Sequence, residues 1–152
     1  MIVYRVGKTK HANDLSGKGA RLFGGRWNHQ LTPCIYTSES RALALLEYSV
    51  NINLDLISKI LSITSFKIPD KYIQELMQSN LPADWKTAPA PSSTKNIGTK
   101  FLRDLVSPIL RVPSVIIEEE FNFILNPLHR ESSRFKILDI KDFFYDVRIK
   151  LA

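Results

Sequence analysis

The chain has 152 residues, of which 44% are hydrophobic and 24% charged; a chain of this size can bury about two-thirds of its unfolded surface, so one core and a single domain over 1–152 are expected rather than disorder. No apolar run approaches the roughly 18 residues of a membrane span, and no basic segment leads into a long apolar one near Met1. The lone Cys34 can make no internal disulfide, which fits a reducing compartment, so the cytoplasm is the expected location. Lys and Arg total 21 against 15 Asp and Glu, a net charge of +6 that favours anionic partners without choosing among nucleic acid, phosphorylated metabolites and acidic proteins.

In chain order, residues 2–6 alternate β-formers and predict a first strand. Residues 7–25 are polar, and four of the six glycines fall between Gly17 and Gly25, which predicts a loop that bends sharply or approaches a ligand. A strand is expected over 34–37 after a turn at Thr32-Pro33. Ser38 and Ser40 are good N-caps for a helix over 40–51, with Leu43, Leu46 and Val50 as its apolar stripe. Glu47 lies one turn beyond Leu43, at the flank of that stripe. Further helices are predicted over 54–61, 70–78 and 98–106, and strands over 63–68, 114–117 and 134–140, with 121–125 ambiguous. A long Pro- and Ser-rich loop occupies 80–98. Helices and strands intersperse without a regular βαβ period, so the expected class is α+β.

Familiar chemical motifs are missing. His11, His29, His129 and Cys34 are scattered, with no metal-ligand spacing. Gly17-Lys18-Gly19 is followed by Leu22 where a dinucleotide fingerprint needs its third glycine, and no phosphate-loop Gly-Lys-Ser/Thr or Gly-x-Ser-x-Gly occurs. A looser constellation remains. Arg26 follows the Gly24-Gly25 turn, where a guanidinium could reach a diphosphate or simply form a surface ion pair. Tyr36 ends a strand, as a stacking ring or a core residue. Glu47 is either an edge salt-bridge partner or a carboxylate facing a cleft. Ser114, after Pro113, is as readily structural as functional; Asn122 and Asn126 look like turn or cap residues.

The order and spacing of these residues resemble the RES domain, a family named for Arg, Glu and Ser and found as toxins of bacterial toxin–antitoxin pairs. The matching segments are Gly-Ala-Arg-Leu-Phe-Gly-Gly-Arg-Trp-Asn (19–28), Tyr-Thr-Ser-Glu-Ser (36–40), Leu-Ala-Leu-Leu-Glu (43–47), Val-Pro-Ser (112–114) and Asn-Phe-Ile-Leu-Asn-Pro (122–127). Leu31 stands where the family usually has a glycine, and Glu118 where a proline is common. The resemblance implies an ADP-ribosyltransferase-like fold, with a split, curved β-core and surrounding helices about a NAD cleft. It implies cleavage of the nicotinamide–ribose bond of NAD, as substrate rather than cofactor, with ADP-ribose passed to phosphate, water or a protein.

Carried over residue by residue, Arg26, Tyr36 and Glu47 form the catalytic core. Ser114 joins them in binding NAD, and Arg5 and Asn126 are further NAD-binding candidates; no metal is implied. The implied partners are an Xre-like helix-turn-helix antitoxin that blocks the active site, inorganic phosphate, and a second toxin copy in a homodimer, with no membrane. Such chemistry suits one carboxylate: bond cleavage leaves positive charge on the ribose, and an anion in a water-poor cleft favours that state. Relatives that modify proteins often carry a second acid two residues before the catalytic Glu. Leu45 occupies that position here, which favours phosphate or water over a protein acceptor. A protein ADP-ribosyltransferase, or a basic toxin that binds or cleaves RNA, is the alternative.

Overall fold

The computed structural model describes residues 1–58 and 60–151. Among these residues seven strands form one sheet: β1 (Ile2–Gly7), β2 (Ile35–Ser38), β3 (Ile60–Lys67), β4 (Ile73–Glu75), β5 (Ile109–Pro113), β6 (Phe121–Leu125) and β7 (Lys136–Phe144). Their order across the sheet is β4-β5-β6-β2-β1-β3-β7, antiparallel throughout except for the β4–β5 pair. Among the described residues three α-helices accompany them: α1 (Lys18–Phe23), α2 (Arg41–Asn51) and α3 (Ser92–Asp104). This is the α+β class expected from the sequence.

The sheet curls. Phe66 of β3 and Ile109 of β5, with three strands between them in the order, meet in one cluster with Val3, Ile35, Phe123, Leu125 and Phe135. Alternation along each strand sends the neighbouring side chains to the opposite face. There, Leu110, Val112 and Ile124 pack with Trp27, Phe101 and Leu102 beneath α3. Val6 and Leu61 pack with Ala44 of α2 and Tyr145. Burying each such Leu, Ile or Phe contributes about 1.5–3 kcal/mol, so these faces, rather than local propensity, fix where the helices lie.

Several local expectations give way to that packing. The glycine-rich segment is no simple loop: α1 lies between Gly17 (φ +71°) and Gly24 (φ +70°), both at a positive φ that favours glycine. A Cβ on Gly17 would lie 2.7 Å from the Cys34 nitrogen, so the glycine also permits a close chain crossing. Over 54–61 the structure has only a 3-10 turn at Leu54–Leu56 before β3 begins, with Lys59 outside the described residues. Pairing with β7 takes only the last two residues, Ile60 against Phe144 and Leu61 against Phe143, and the apolar residues of this stretch were compatible with either state. The helix expected over 70–78 is replaced by β4. Tyr72 takes a left-handed φ of +66°, and Ile73, Gln74 and Glu75 pair with Ile109, Leu110 and Arg111. Tertiary pairing here overrides the helical preference of Gln and Glu.

The helix expected over 98–106 starts earlier, at Ser92, directly after Pro91. The strand expected over 114–117 lies instead at Ile109–Pro113, between Pro108 and Pro113. Ser114 ends it, its Oγ accepting from the Ile116 and Ile117 N–H groups in a tight turn. The stripe of α2 is also rotated. Leu43 is buried as expected, but Ala44 and Ser49 complete the buried face, and Val50 turns outward at the mouth of a cleft.

Candidate active site

On the helix-bearing face, a cleft of about 930 Å³ opens between the curled sheet, α2, the segment around Arg26 and the loop preceding α3. Glu47 is fixed in its wall. Ser40 caps α2 by accepting from the Leu43 N–H at 3.0 Å, as its position predicts, and Leu43 anchors the helix in the core. One turn on, the Glu47 carboxylate meets the end of β5 and the start of β6. Its Oε1 accepts from Ser114 Oγ at 2.8 Å and from Asn122 Nδ2 at 2.6 Å. Asn122 is itself oriented by Ser38 Oγ, which donates to its Oδ1 at 2.6 Å. Both bonds converge on one oxygen. Among the described residues no hydrogen bond reaches Oε2, which leaves that oxygen for a ligand.

Gly25, Arg26 and Trp27 also line the cleft, and the segment 25–29 is held by a dense set of polar contacts. The Tyr36 hydroxyl accepts from the Trp27 N–H at 2.9 Å and donates to Asn28 Oδ1 at 2.7 Å. Asn28 Nδ2 in turn donates to the carbonyls of Ala20, His29 and Thr32. The His29 N–H donates to Thr99 Oγ1 on α3. Gly98 brings α3 so close that a Cβ there would lie 1.8 Å from the Trp27 carbonyl oxygen; a Cβ on Gly25 would lie 2.6 Å from the Tyr36 hydroxyl. These glycines are needed for close approach.

Arg26 stands on this platform. Its Nη1 donates to the carbonyls of Trp85 at 2.7 Å and Thr87 at 3.0 Å, tying the far loop to the cleft wall. Partial burial lowers its pKa, while the Glu47 carboxylate and Tyr36 act in the opposite direction. Burial pushes the Tyr36 hydroxyl well above its ordinary range, so it serves as a neutral donor and acceptor.

The structure therefore gathers Arg26, Tyr36 and Glu47 along one cleft. Ser114 joins them from behind: it is fully buried and reaches the cleft only through its bond to Glu47. Arg5 borders the cleft on β1, but alternation turns its side chain to the other face from Tyr4 and Val6. Its Nη2 donates to the His11 and Ala12 carbonyls, and its guanidinium lies 5.0 Å from the Phe66 ring centre. Asn126 lies outside the cleft lining. It is buried, donates to the Leu102 carbonyl and accepts from the Leu128 N–H, which ties the end of β6 to α3. The sequence reading missed Asn122 and Ser38 as partners in the Glu47 network. Assigning 121–125 as a strand would have put Asn122 and Ile124 on one face, which was the available signal. Lys86 and Lys95 also line the cleft, Lys86 paired with Glu118.

Leu31 has a left-handed backbone, φ +74°, and a side chain 77% exposed. A glycine would adopt this conformation without strain, so a glycine preference at this position has a local backbone cause.

The family model for the RES domain matches residues 2–146. The chain is 37% identical over 156 residues to a protein of Photorhabdus laumondii named Toxin Res, covering 100% of this chain and 99% of that one. It is 33% identical over 145 residues to the Prs ADP-ribosylating toxin of Sphingobium sp., covering 93% and 90%. Its fold is similar to a chain in the crystal structure of the M. tuberculosis MbcT–MbcA toxin–antitoxin complex, with a TM-score of 0.78 at 19% identity over 94% of this chain and 84% of that one. With the family model spanning nearly the full length and relatives of more than 30% identity aligned along it, the chain belongs to the RES domain family.

Proposed function

We propose that this protein is the toxin of a toxin–antitoxin pair and that it cleaves NAD at the nicotinamide–ribose bond, passing ADP-ribose to phosphate or water. The observation that carries this reading is the Glu47 carboxylate, with Oε1 held by two donors and Oε2 open to a cleft whose volume suits a dinucleotide. As the bond to nicotinamide lengthens, positive charge grows on the ribose. A carboxylate already oriented beside it stabilises that charge more than the ground state, without reorganising. Nicotinamide leaves from a cationic pyridinium, so no general acid is required.

Arg26 has its remaining N–H groups for the diphosphate, while Nη1 holds the far wall in place. Tyr36 acts chiefly by shaping the platform on which Arg26 stands, since its hydroxyl is committed to Trp27 and Asn28. Its ring remains part of the cleft lining. Ser114 orients Glu47 rather than the substrate. The toxin–antitoxin complex among similar folds supports an antitoxin partner, which we take to be an Xre-like protein that blocks the cleft in the cytoplasm.

The test is nicotinamide release from NAD by purified antitoxin-free protein, with and without inorganic phosphate, beside Glu47→Gln. Release that is lost in the variant supports the reading, and its phosphate dependence separates phosphorolysis from hydrolysis. Equal release from both proteins would refute the role of Glu47. A second reading, transfer to a protein, is favoured by the relative named an ADP-ribosylating toxin. Against it, the position two before Glu47 is Leu45, which packs into the apolar cluster under α2. Transfer of labelled ADP-ribose to a protein band, with little free ADP-ribose or its phosphorylated form, would decide for that acceptor.

A further inference from the structure

The two edges of the sheet differ. At one end β4 is three residues long. At the other, β7 runs for nine residues along an edge that no described strand covers, and most of it faces solvent. Leu138, Ile140 (39% exposed) and Phe144 (80% exposed) project from it. An edge of this length presents a row of backbone donors and acceptors, together with apolar side chains that burial would stabilise.

From these features we infer that β7 is the surface on which a second copy of this chain docks, strand to strand and antiparallel, about a two-fold axis through Ile140. The register follows from the sequence of the edge. Outward N–H and C=O groups occur at alternate residues, so a two-fold antiparallel pairing must be centred on a residue. Centred on Asp139, Lys141 or Asp142, the pairing would set that charged side chain against its own copy, which is destabilising. Centred on Ile140, it sets Asp139 against Lys141 of the second copy twice over and buries Ile140 on its own counterpart. Asp139 and Lys141 lie on one face of β7, 3.7 Å apart, so the pairing closes four charges of alternating sign into a ring. The ladder is regular from Asp139 to Phe144, and its one bulge, beside Leu138, lies outside the central residues. The cleft is bounded by β1, β2, β6 and α2, with no β7 residue in its lining, so both copies keep open sites.

This inference deepens the homodimer expected for the proposed toxin, and its test separates the two ideas. Full-length protein carrying Glu47→Gln, which spares the host, is examined by light scattering after size exclusion. The expected mass is twice the 17.4 kDa of the chain. Asp139→Lys alone and Lys141→Asp alone each place like charges opposite one another and should halve that mass. The double variant Asp139→Lys/Lys141→Asp restores opposite charges and should restore the dimer.

Ile140→Cys supplies an independent measurement. Across an antiparallel pair, Cα atoms lie about 4.5–5.5 Å apart, within the range a disulfide spans, so oxidation should link two chains. Cys34 is buried and does not compete. A monomeric parent chain would overturn the dimer itself. A dimer that survives both single swaps, or that fails to cross-link through Ile140→Cys, would overturn this surface while leaving the NAD chemistry to be judged by nicotinamide release.

Discussion

Replacing Ser114 with alanine removes one of the two hydrogen bonds on Glu47 Oε1, the 2.8 Å contact from its Oγ, and leaves the bond from Asn122 in place. A hydrogen bond to a charged group contributes about 1.5–3 kcal/mol. Were all of it expressed in the transition state, turnover would fall by about ten- to about a hundredfold. Asn122 still restrains the carboxylate, so the lower end, about tenfold, is expected. The same substitution removes the acceptor of the Ile116 and Ile117 N–H groups, now bonded to Ser114 Oγ at 3.0 and 3.3 Å; this turn lies near the surface, with Ile117 exposed, so water replaces much of the loss and the cost should be about 1 kcal/mol of stability. For a chain of this size that is a drop of about 2–4 °C in Tm. The assay is steady-state nicotinamide release across a range of NAD concentrations, run below the melting transition. Ser114 is fully buried and does not line the cleft, so kcat should fall while KM stays nearly constant. The Ser114→Ala/Asn122→Ala double variant should lose more than the sum of the separate effects, because each partner covers for the other on one oxygen. A raised KM with unchanged kcat would refute this reasoning and place Ser114 against the substrate. No change in either would show the bond to be idle.

Tyr36→Phe removes a hydroxyl that serves two partners at once, leaving the Trp27 N–H and Asn28 Oδ1 without it. Each orphaned group costs about 1–3 kcal/mol, so denaturant melts should show a loss of about 2–6 kcal/mol, with a loss of NAD turnover as the Arg26 platform loosens. An unchanged midpoint would contradict the bonding described. Leu31→Gly should raise stability by about 1 kcal/mol, since the left-handed backbone costs a non-glycine residue about that much and the exposed side chain buries little; a fall in Tm would refute it. Alkaline pH acts through Cys34, whose thiol burial pushes from its ordinary 9.0 to about 12. Above pH 9 the unfolded chain releases this proton while the folded chain keeps it, so stability declines from there until the folded thiol ionises near 12. Tyr36 adds to the decline in the same direction. Chemical denaturation at pH 8 and pH 10 should show the lower midpoint at pH 10, and Cys34→Ala should lessen the difference between them.

Local chemistry made Arg26, Tyr36 and Glu47 candidates in the sequence (a glycine turn before Arg26, a strand end at Tyr36, a capped helix that puts Glu47 one turn beyond Leu43), but each also had a structural reading, and it was their order, resembling the RES domain, that grouped them. The first strand, β2, α2 and the α+β class were legible locally, since period and capping are properties of short stretches. Roles that depend on the opposite side of the molecule were not. Whether Ser114 touches substrate or Glu47 is decided by α2 lying against the ends of β5 and β6, and whether the Arg5 guanidinium enters the cleft is decided by the pleat of β1. The stretches 54–61 and 70–78 hold residues that suit either helix or strand, and pairing with β7 at Ile60 and Leu61 and with β5 at Ile73–Glu75 decided where each becomes strand. A chain's own sequence fixes short-range hydrogen bonds and the side-chain period. Which face meets which partner is set by burial between segments far apart in sequence, and there alone do Asn122 and Ser114 become the holders of one carboxylate.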